Sequence, residues 1–398
     1  MKSEYLIFSV IFLTGIILPA RGSATDLSGR LLLEATYFPT NALYEGQRDQ
    51  ALSMVIEPEY FHQGYGEFSF TFSPFARLDS ADEDRSHLDI REMFFLYPAQ
   101  SWELRIGLDK VFWGTTEFVH LVDIINQTDL IESIDQEEKL GQPMVRFSLI
   151  RDFGTFDFFA LPYFRERTFP GTGGRLRNQL AVDTGHPIYE SAAEEHHLDL
   201  AMRYTRVFGD LDMGLYYFKG TGREPELRLS SDSSGQIHLI PYYGQIEQTG
   251  LDLSLVTGSW LWKLEALYRS GMGDSFWATI GGFEISFPAV MDSNMDLGII
   301  GEYIYDQRGE ESPLVFQNDL MFGLRLALND MASSELLLGI SRDLDHRASF
   351  ISLEAGRRLR DDIKLSLEAI FFVDQADHDI SYSIRDDDHI RLGIAYYF

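Results

Sequence analysis

The sequence predicts an all-β protein, a transmembrane antiparallel up-and-down β-barrel of about 18 strands. Three observations carry that prediction. Segments of about ten residues alternate apolar with polar and end in turn residues. The connections between them alternate short with long. The chain closes on His389-Ile-Arg-Leu-Gly-Ile-Ala-Tyr-Tyr-Phe398, with Ile390, Leu392, Ile394, Tyr396 and Phe398 on one face.

At the N-terminus, Lys2 precedes an apolar run from Tyr5 to Leu18, then Pro19 and small residues up to Gly22-Ser23-Ala24. This is the layout of a secretory signal peptide over residues 1–24, too short for a spanning helix, with cleavage expected after Ala24 or else after Ala20. No later stretch is long and apolar enough to predict a transmembrane helix. The mean hydropathy of −0.13 hides membrane strands, because alternation averages away. The absence of cysteine excludes disulfides, thiolate metal sites and cysteine nucleophiles. Lys+Arg 33 against Asp+Glu 62 gives a net charge of −29, which argues against nucleic acid as a partner, since phosphate binding needs a basic face. An aromatic content of 14% suits girdles at two membrane interfaces.

The first strand, Ser28 to Phe38, puts Leu31, Leu33, Ala35 and Tyr37 on one side and Arg30, Glu34 and Thr36 on the other. The clearest, Gly66 to Arg77, alternates Phe68, Phe70 and Phe72 with Ser69, Thr71 and Ser73. In Leu88 to Tyr97, Glu92 falls in register with Leu88, Ile90 and Phe94, so either a bulge or a misassigned face is expected there. Strands are expected to begin near Gly29, Gln50, Gly66, His87, Trp102, Met144, Thr155, His197, Asp210, Tyr242, Trp260, Phe276, Met295, Asp319, Glu335, Ala348, Asp362 and His389. The count is even, as a single-chain bacterial barrel requires, with about 16 as the alternative. Short turns such as Pro98 to Ser101 and Asp152 to Gly154 alternate with longer, more acidic connections such as Arg165 to His196 and Asp374 to Asp388. That is the asymmetry of periplasmic turns and extracellular loops. No repeat or linker marks a second domain, so residues 25–398 read as one barrel domain.

Lys110 to Met144 breaks the two-residue pattern. Its apolar residues Phe118, Val119, Leu121, Val122, Ile124 and Ile125 would sit poorly in external water. The segment is therefore expected to fold into the lumen as a constriction; the alternative is a large external loop packed on its neighbours. Trp113, Glu117, Asp123, Asn126, Asp129 and Glu132 are the expected constriction residues. Asp129 to Ile134 is expected to make a helical turn capped by Thr128 or Asp129. Turning the apolar faces outward leaves Glu103, Arg105, Asp109, Arg203, Lys263, Glu265, Arg269 and Arg325 among the charges on the inner wall. A watery lumen or mutual pairing must accommodate them.

Other motifs are weaker. In Glu194-Glu195-His196-His197 the adjacent histidines point different ways at a loop-strand junction, so no metal site is expected. The acidic runs Asp79, Asp82, Glu83, Asp84 and Asp386-Asp387-Asp388 either hold divalent cations bridging lipopolysaccharide or are simply solvated. Gly273-Asp274-Ser275 is too short to count as a nucleophile block, no Gly-x-Ser-x-Gly occurs, and most histidines fall in loops or at strand ends. No catalytic residue and no cofactor is expected.

The order Trp113-Gly114, apolar run, Asn126, Asp129-Leu130, charged stretch, Pro143-Met144-Val145 and later Leu161-Pro162-Tyr163-Phe164 resembles a group of porin-like outer-membrane proteins of Gram-negative bacteria, largely uncharacterised in function. The resemblance spans Trp102 to Pro170 and implies a barrel with an inserted loop, without supplying a substrate. Thr115-Thr116-Glu117 departs from the more regular flanking of that group's Trp-Gly pair. The last strand resembles the end signal of bacterial outer-membrane barrels, which implies the barrel-assembly machinery as a partner, beside outer-membrane lipids and lipopolysaccharide. The expected function is a channel for passive or facilitated passage of small hydrophilic solutes, with a mild cation preference from the acidic loops. The alternatives are a non-conducting structural or assembly barrel and an outer-membrane enzyme. Self-association into a homo-oligomer stays open, since no strand carries an unmistakable subunit-facing patch.

Overall fold

The computed structural model describes residues 24–64, 66–377 and 379–398; the expected leader, Ala24 excepted, lies outside the described residues. The first strands are β1 (Ala24–Tyr37), β2 (Gln50–Gln63), β3 (Ser69–Asp79), β4 (Leu88–Pro98), β5 (Trp102–Asp109), β6 (Gln142–Arg151), β7 (Gly154–Leu161), β8 (Ile188–Tyr189), β9 (Asp199–Phe208), β10 (Leu211–Thr221) and β11 (Glu226–Ser231). They are followed by β12 (Ile237–Tyr243), β13 (Gln245–Thr257), β14 (Trp260–Ser270), β15 (Phe276–Phe287), β16 (Asp296–Asp306), β17 (Asn318–Ala327), β18 (Glu335–Asp343), β19 (Ser349–Arg360), β20 (Ile363–Val373) and β21 (His389–Tyr397). Eighteen of these form one sheet of sequential antiparallel neighbours. It closes where β1 pairs with β21, Arg30 opposite Tyr397 through Tyr37 opposite Ile390. Closure removes both sheet edges, which hydrocarbon could not hydrogen-bond.

The two-residue alternation explains the wall. Leu33 and Tyr37 on β1 and Ile390, Leu392, Ile394 and Tyr396 on β21 are exposed on the outside, whereas Ser69 and Ser73 on β3 are buried inside. Across β17, β18 and β19 the outward row Leu324, Leu338 and Leu353 lies in register. Aromatic side chains collect near both rims. Trp260 stacks on Trp262 at 5.3 Å at the short-turn end, and Trp277 packs on Tyr305 at 5.0 Å at the opposite end. Rims of this kind are where amphipathic rings are stabilised in a membrane.

The expected irregularity on β4 is present. Ser73 pairs with Glu92 and Pro74 with Ile90, so Arg91 is the extra residue of a bulge. Its effect is that two successive charged residues, Arg91 and Glu92, can both turn inward while Met93 and Phe95 regain the lipid side.

Two expectations are corrected. The strand expected from Tyr242 begins instead at Gln245, because Tyr242 and Tyr243 belong to a second sheet of three strands in the long connections, β11-β12-β8. Asp129 to Ile134 makes a single turn, with Glu132 N and Ser133 N on Asp129 O, and neither Thr128 nor Asp129 caps it through its side chain. The Asp129 carboxylate accepts instead from Arg91 Nη1 at 2.7 Å and the Thr168 hydroxyl at 2.6 Å. A full guanidinium charge outcompetes peptide N–H groups for a buried carboxylate.

Leu338 lies mid-strand on the lipid face, so Leu338→Arg is expected to lower barrel stability by about 2–4 kcal/mol. Denaturant-induced unfolding in lipid vesicles would measure it; an unchanged midpoint would mean that this face does not meet hydrocarbon.

Candidate functional site

Residues 110–141, between β5 and β6, lie inside the barrel, and one side chain closes the segment's neck. Asn126 Oδ1 accepts from Val111 N at 2.8 Å, while its Nδ2 donates to Asp109 O and Leu140 O, both at 2.9 Å. A buried amide that satisfies donors and acceptors at both ends of a loop holds them together. Trp113 N donates to Asp123 Oδ1 at 3.3 Å, and Lys139 pairs with the other Asp123 oxygen at 3.3 Å.

From that neck the segment reaches across the lumen. With little regular structure of its own, it must find acceptors for its backbone N–H groups, and the wall supplies carboxylates. Glu265 on β14, fully buried, accepts from Thr115 N at 2.7 Å, Thr116 N at 3.0 Å, Thr116 Oγ1 at 2.6 Å and Val122 N at 3.2 Å. Glu302 on β16 accepts from Glu117 N at 2.8 Å and Phe118 N at 3.1 Å. Gly114 makes the approach possible: its φ is +150°, and a Cβ there would stand 2.9 Å from His120 and 3.2 Å from Glu265 Oε1. Phe118 settles over paired Gly323 and Gly339, where a Cβ on Gly339 would meet it at 2.9 Å.

Apolar contacts follow the same path. Trp113, Val122, Ile124 and Ile125 pack with Phe159 and Phe218 of one wall. Leu121 packs with Ile280, Ile304 and Met321 of the other, with Phe118 and Val119 alongside. Each largely buried aliphatic or aromatic side chain contributes about 1.5–3 kcal/mol. The inner wall is thus apolar where the segment lies, against the polar-in rule of an open barrel.

The sequence-predicted residues take different positions. Trp113 is buried between Phe159, Tyr216 and the Arg203 guanidinium, 4.8 Å from its ring, so it packs the segment to the wall instead of facing open space. Glu132 is bound by Arg77 through Nε at 2.9 Å and Nη2 at 2.6 Å, and Arg77 also holds Glu34. Asp129 is taken by Arg91, as described above. Glu117 reaches Arg325 at 2.7 Å and Lys263 at 3.5 Å. Glu103, Arg105 and Asp109 form a chain with Arg146, Arg203 pairs with Asp252 at 2.7 Å, and Arg269 pairs with Glu224 at 2.7 Å. Glu265 faces the lumen as expected, yet it is covered by the segment and meets no water.

The open space lies on the segment's remaining flank. A cavity of about 1120 Å³ at the long-loop end is lined by Arg167, Arg269 and Arg308 among others. It adjoins one of about 350 Å³ between the segment and the β17–β20 wall, the two sharing those arginines with Glu224. Asp135 and Glu137 on the segment and Glu354 on β19 face this second space, and each is exposed. None of the three has a cationic partner among the described residues. Confinement, then the charges of Asp135, Glu354, Glu117 and Glu138, push the Glu137 carboxyl up to about 7. Around Glu224, burial alone would raise the carboxyl, but Arg269, Arg308 and Arg167 outweigh it and hold it well below the usual carboxylate range. A third cavity, of about 330 Å³, lies at the short-turn end beside Arg30, Glu57 and Lys110.

Two further constellations bring titratable groups together. His87, Asp129 and Glu132 bring ligand atoms within 4.8 Å of one another, but Arg77 and Arg91 already occupy the carboxylates, so the group is an ion-pair network. Among the described residues, Thr25 with His62 at 3.0 Å is the one Ser/Thr–His hydrogen bond, and no acid orients that ring.

Sequence reasoning missed Glu302, the Arg91–Asp129 pair and the Arg167–Glu224–Arg308 group. The signals were there in part: inward positions Ile300 and Ile304 flank Glu302 with apolar residues, and the connection after β7 carries Arg165, Arg167, Arg175 and Arg177 in an otherwise acidic chain.

By sequence, no known protein family and no curated protein matches the chain. Among solved structures, Wzi of Escherichia coli, an outer-membrane protein involved in group 1 capsule assembly and described as a carbohydrate-binding β-barrel, aligns with a TM-score of 0.54. The alignment has 10% identity over 93% of this chain and 84% of that one. A mutant porin of Rh. blastica aligns at 0.46 with 10% identity, over 94% and 100% of the two chains. OmpT of Vibrio cholerae, an outer-membrane protein, aligns at 0.46 with 9% identity, over 94% and 99%. At such identities the likeness to Wzi speaks for the fold alone. The chain is an outer-membrane-type β-barrel, closed, with an apolar outer face and a long segment between β5 and β6 inserted into its lumen.

Glu265→Ala would leave three backbone N–H groups of the segment unpaired, each costing about 1–3 kcal/mol, while the Thr116 hydroxyl can still donate to Val119 O at 2.6 Å. Amide hydrogen exchange at Thr115, Thr116 and Val122 is expected to accelerate strongly while exchange in β1 and β21 stays slow. Unchanged exchange at those amides would show that Glu265 is not the anchor.

Proposed function

We propose that this barrel is an outer-membrane channel for small hydrophilic solutes, in which residues 110–141 narrow the lumen and leave one charged gap for passage. The observation that carries the reading is the asymmetry of the segment. It is bound to the wall through Glu265, Glu302 and two apolar patches, yet its Asp135–Glu137 flank stands free opposite Glu354. Unpaired, water-accessible carboxylates inside a barrel call for a hydrated path. The net charge bordering the gap favours cations, a preference that the sequence suggested from the external loops alone. The outward apolar rows and the Phe398-ended strand support outer-membrane lipids, lipopolysaccharide and the barrel-assembly machinery as partners.

Single-channel conductance of the refolded protein in a planar bilayer under a salt gradient tests the proposal, beside a variant lacking Thr116 to Gln136. Steps that grow on deletion are expected. Silence from both folded proteins would favour a closed structural barrel instead.

The Glu137 carboxyl sits at about 7, so it is neutral well below that pH and anionic above it. Cation preference, read from the reversal potential, is therefore expected to be weaker at pH ~5 than at pH ~8, and Glu137→Gln is expected to flatten that difference. Reversal potentials that do not move with pH in either protein would count against Glu137 as a gap residue.

A further inference from the structure

The two adjoining cavities meet at a neck bordered by Arg167, Glu224, Arg269 and Arg308, together with Ile134 and Gln136. The neck carries more guanidinium groups than carboxylates. Arg269 and Arg308 both direct Nη1 to Glu224 Oε2, at 2.7 Å and 3.4 Å, and Arg308 also holds Asp306 at 2.6 Å. Asp306 is buried and further occupied, accepting from Arg308 N at 2.9 Å and Ser312 Oγ at 3.0 Å. Two carboxylates thus neutralise two arginines, and Arg167 is the third.

The Nε of Arg167 donates to Gln127 Oε1 at 3.3 Å, but its two terminal amino groups have no hydrogen-bond partner and no carboxylate within ion-pair distance among the described residues. The residue lines both cavities and is held from behind. Its backbone N–H donates to the Tyr243 hydroxyl at 3.0 Å, and Tyr243 is itself fully buried against Phe164 and Tyr189. Burial pulls the Arg167 pKa down and Glu224 offsets this only in part, as befits a guanidinium short of counter-charge. The other acids of the larger cavity are placed elsewhere: Glu226 pairs with Arg228 at 2.8 Å, Glu190 accepts from Gln245 N at 2.6 Å, and Asp274 and Glu311 are exposed.

A guanidinium that presents free terminal N–H groups to open space takes an oxyanion in two parallel hydrogen bonds. A cation is repelled there, and an uncharged solute leaves the charge unmet. Carboxylate and phosphate groups share the oxygen geometry that the fork recognises. Beyond the neck the smaller cavity presents Asp135, Glu137 and Glu354, which oppose the onward passage of an anion. An oxyanion is therefore attracted as far as the neck and no further.

We propose that Arg167 is the binding residue of an oxyanion site at this neck, which takes a carboxylate or phosphate group from the long-loop side and obstructs the passage while it is filled. The site rests on the side chains just described; the obstruction rests on the channel proposed above.

Calorimetric titration of the refolded full-length protein in detergent, at pH ~8 and constant ionic strength, tests the site. The probes are acetate, inorganic phosphate and acetamide, which has the shape of acetate without its charge. At least one oxyanion is expected to bind saturably, the tighter naming the group that the site takes, with acetamide weaker by about tenfold or more. Arg167→Gln is expected to weaken that oxyanion by about tenfold, whereas Arg228→Gln, at an arginine of the same cavity already paired with Glu226, is expected to leave it nearly unchanged. In planar bilayers the same oxyanion, added on the long-loop side, is expected to lower conductance reversibly over the concentrations at which it binds. Should Arg167→Gln fail to fold, the ranking of the two oxyanions against acetamide on the unaltered protein decides. Acetamide binding as tightly as the oxyanions, or equal losses in the two folded variants, overturns the site. Binding without any fall in conductance overturns the obstruction. Currents without oxyanion binding sink this inference and leave the channel standing, whereas binding to a folded barrel that passes no current sinks the channel and leaves the site.

Discussion

The structure depends on how Glu265 is used. A chain segment placed inside a barrel loses the water that would satisfy its amides, and residues 110–141 have almost no regular structure of their own to compensate. One wall carboxylate receives four hydrogen bonds from the segment and Glu302 receives others, so charges that face the lumen serve as a substitute for a backbone ladder. Because a buried carboxylate is itself costly, it can be held there only while those donors are present. Wall and segment therefore stabilise each other, and Asn126 keeps the two ends of the segment at the spacing that β5 and β6 impose.

Why the barrel was legible and the lumen was not follows from range. Alternation is a local, two-residue property, and Phe68, Phe70 and Phe72 or Ile390, Leu392 and Ile394 report it without reference to anything else in the chain. Glu92, a charged residue in an apolar register, marked β4 as irregular, though not whether by a bulge or by a misassigned face. The segment's inward course was legible too, since its apolar run had nowhere else to go. Which wall it would meet depended on long-range complementarity. Phe276, Ala278 and Ile280 face inward on β15, opposite to the polar-in rule, and are intelligible only once Leu121 and Phe118 lie against them. In the same way Trp113 looks in the sequence like a pore residue, and Asp129 like a cap, until Tyr216 and Arg91 arrive from elsewhere in the barrel. The small sheet β11-β12-β8 escaped because β8 has two residues and pairs in parallel with a strand far along the chain.

The charge balance has a related geometry. A chain at −29 would repel itself if its carboxylates were spread evenly, yet many arginines lie inside or at the long-loop mouth in pairs between distant segments. Arg175, in the connection after β7, binds Asp387 at 2.6 Å and Asp49 at 2.8 Å, and Leu176 N donates to Asp387 at 2.7 Å. Gly171 N reaches Asp82 at 2.9 Å, and Tyr44 OH reaches Ser383 O at 2.8 Å. Acidic runs that seemed free in sequence are thus partly clasps, drawing four connections over one side of the mouth. Once these partners are subtracted, Asp135, Glu137 and Glu354 stand together without a cationic partner among the described residues.

That subtraction gives the lumen its polarity. Where the segment is clamped, the wall carboxylates are taken up by its N–H groups or by arginines, and the space is filled. Along the β17–β20 side the clamping stops, leaving carboxylates below and an arginine above across a strip of phenylalanines. In the low-dielectric surroundings of such a passage, unpaired charges act over the whole gap instead of being screened within a water layer or two. What the anchoring of residues 110–141 leaves unsatisfied is thus confined to one flank of the segment, where Asp135 and Glu137 stand opposite Glu354.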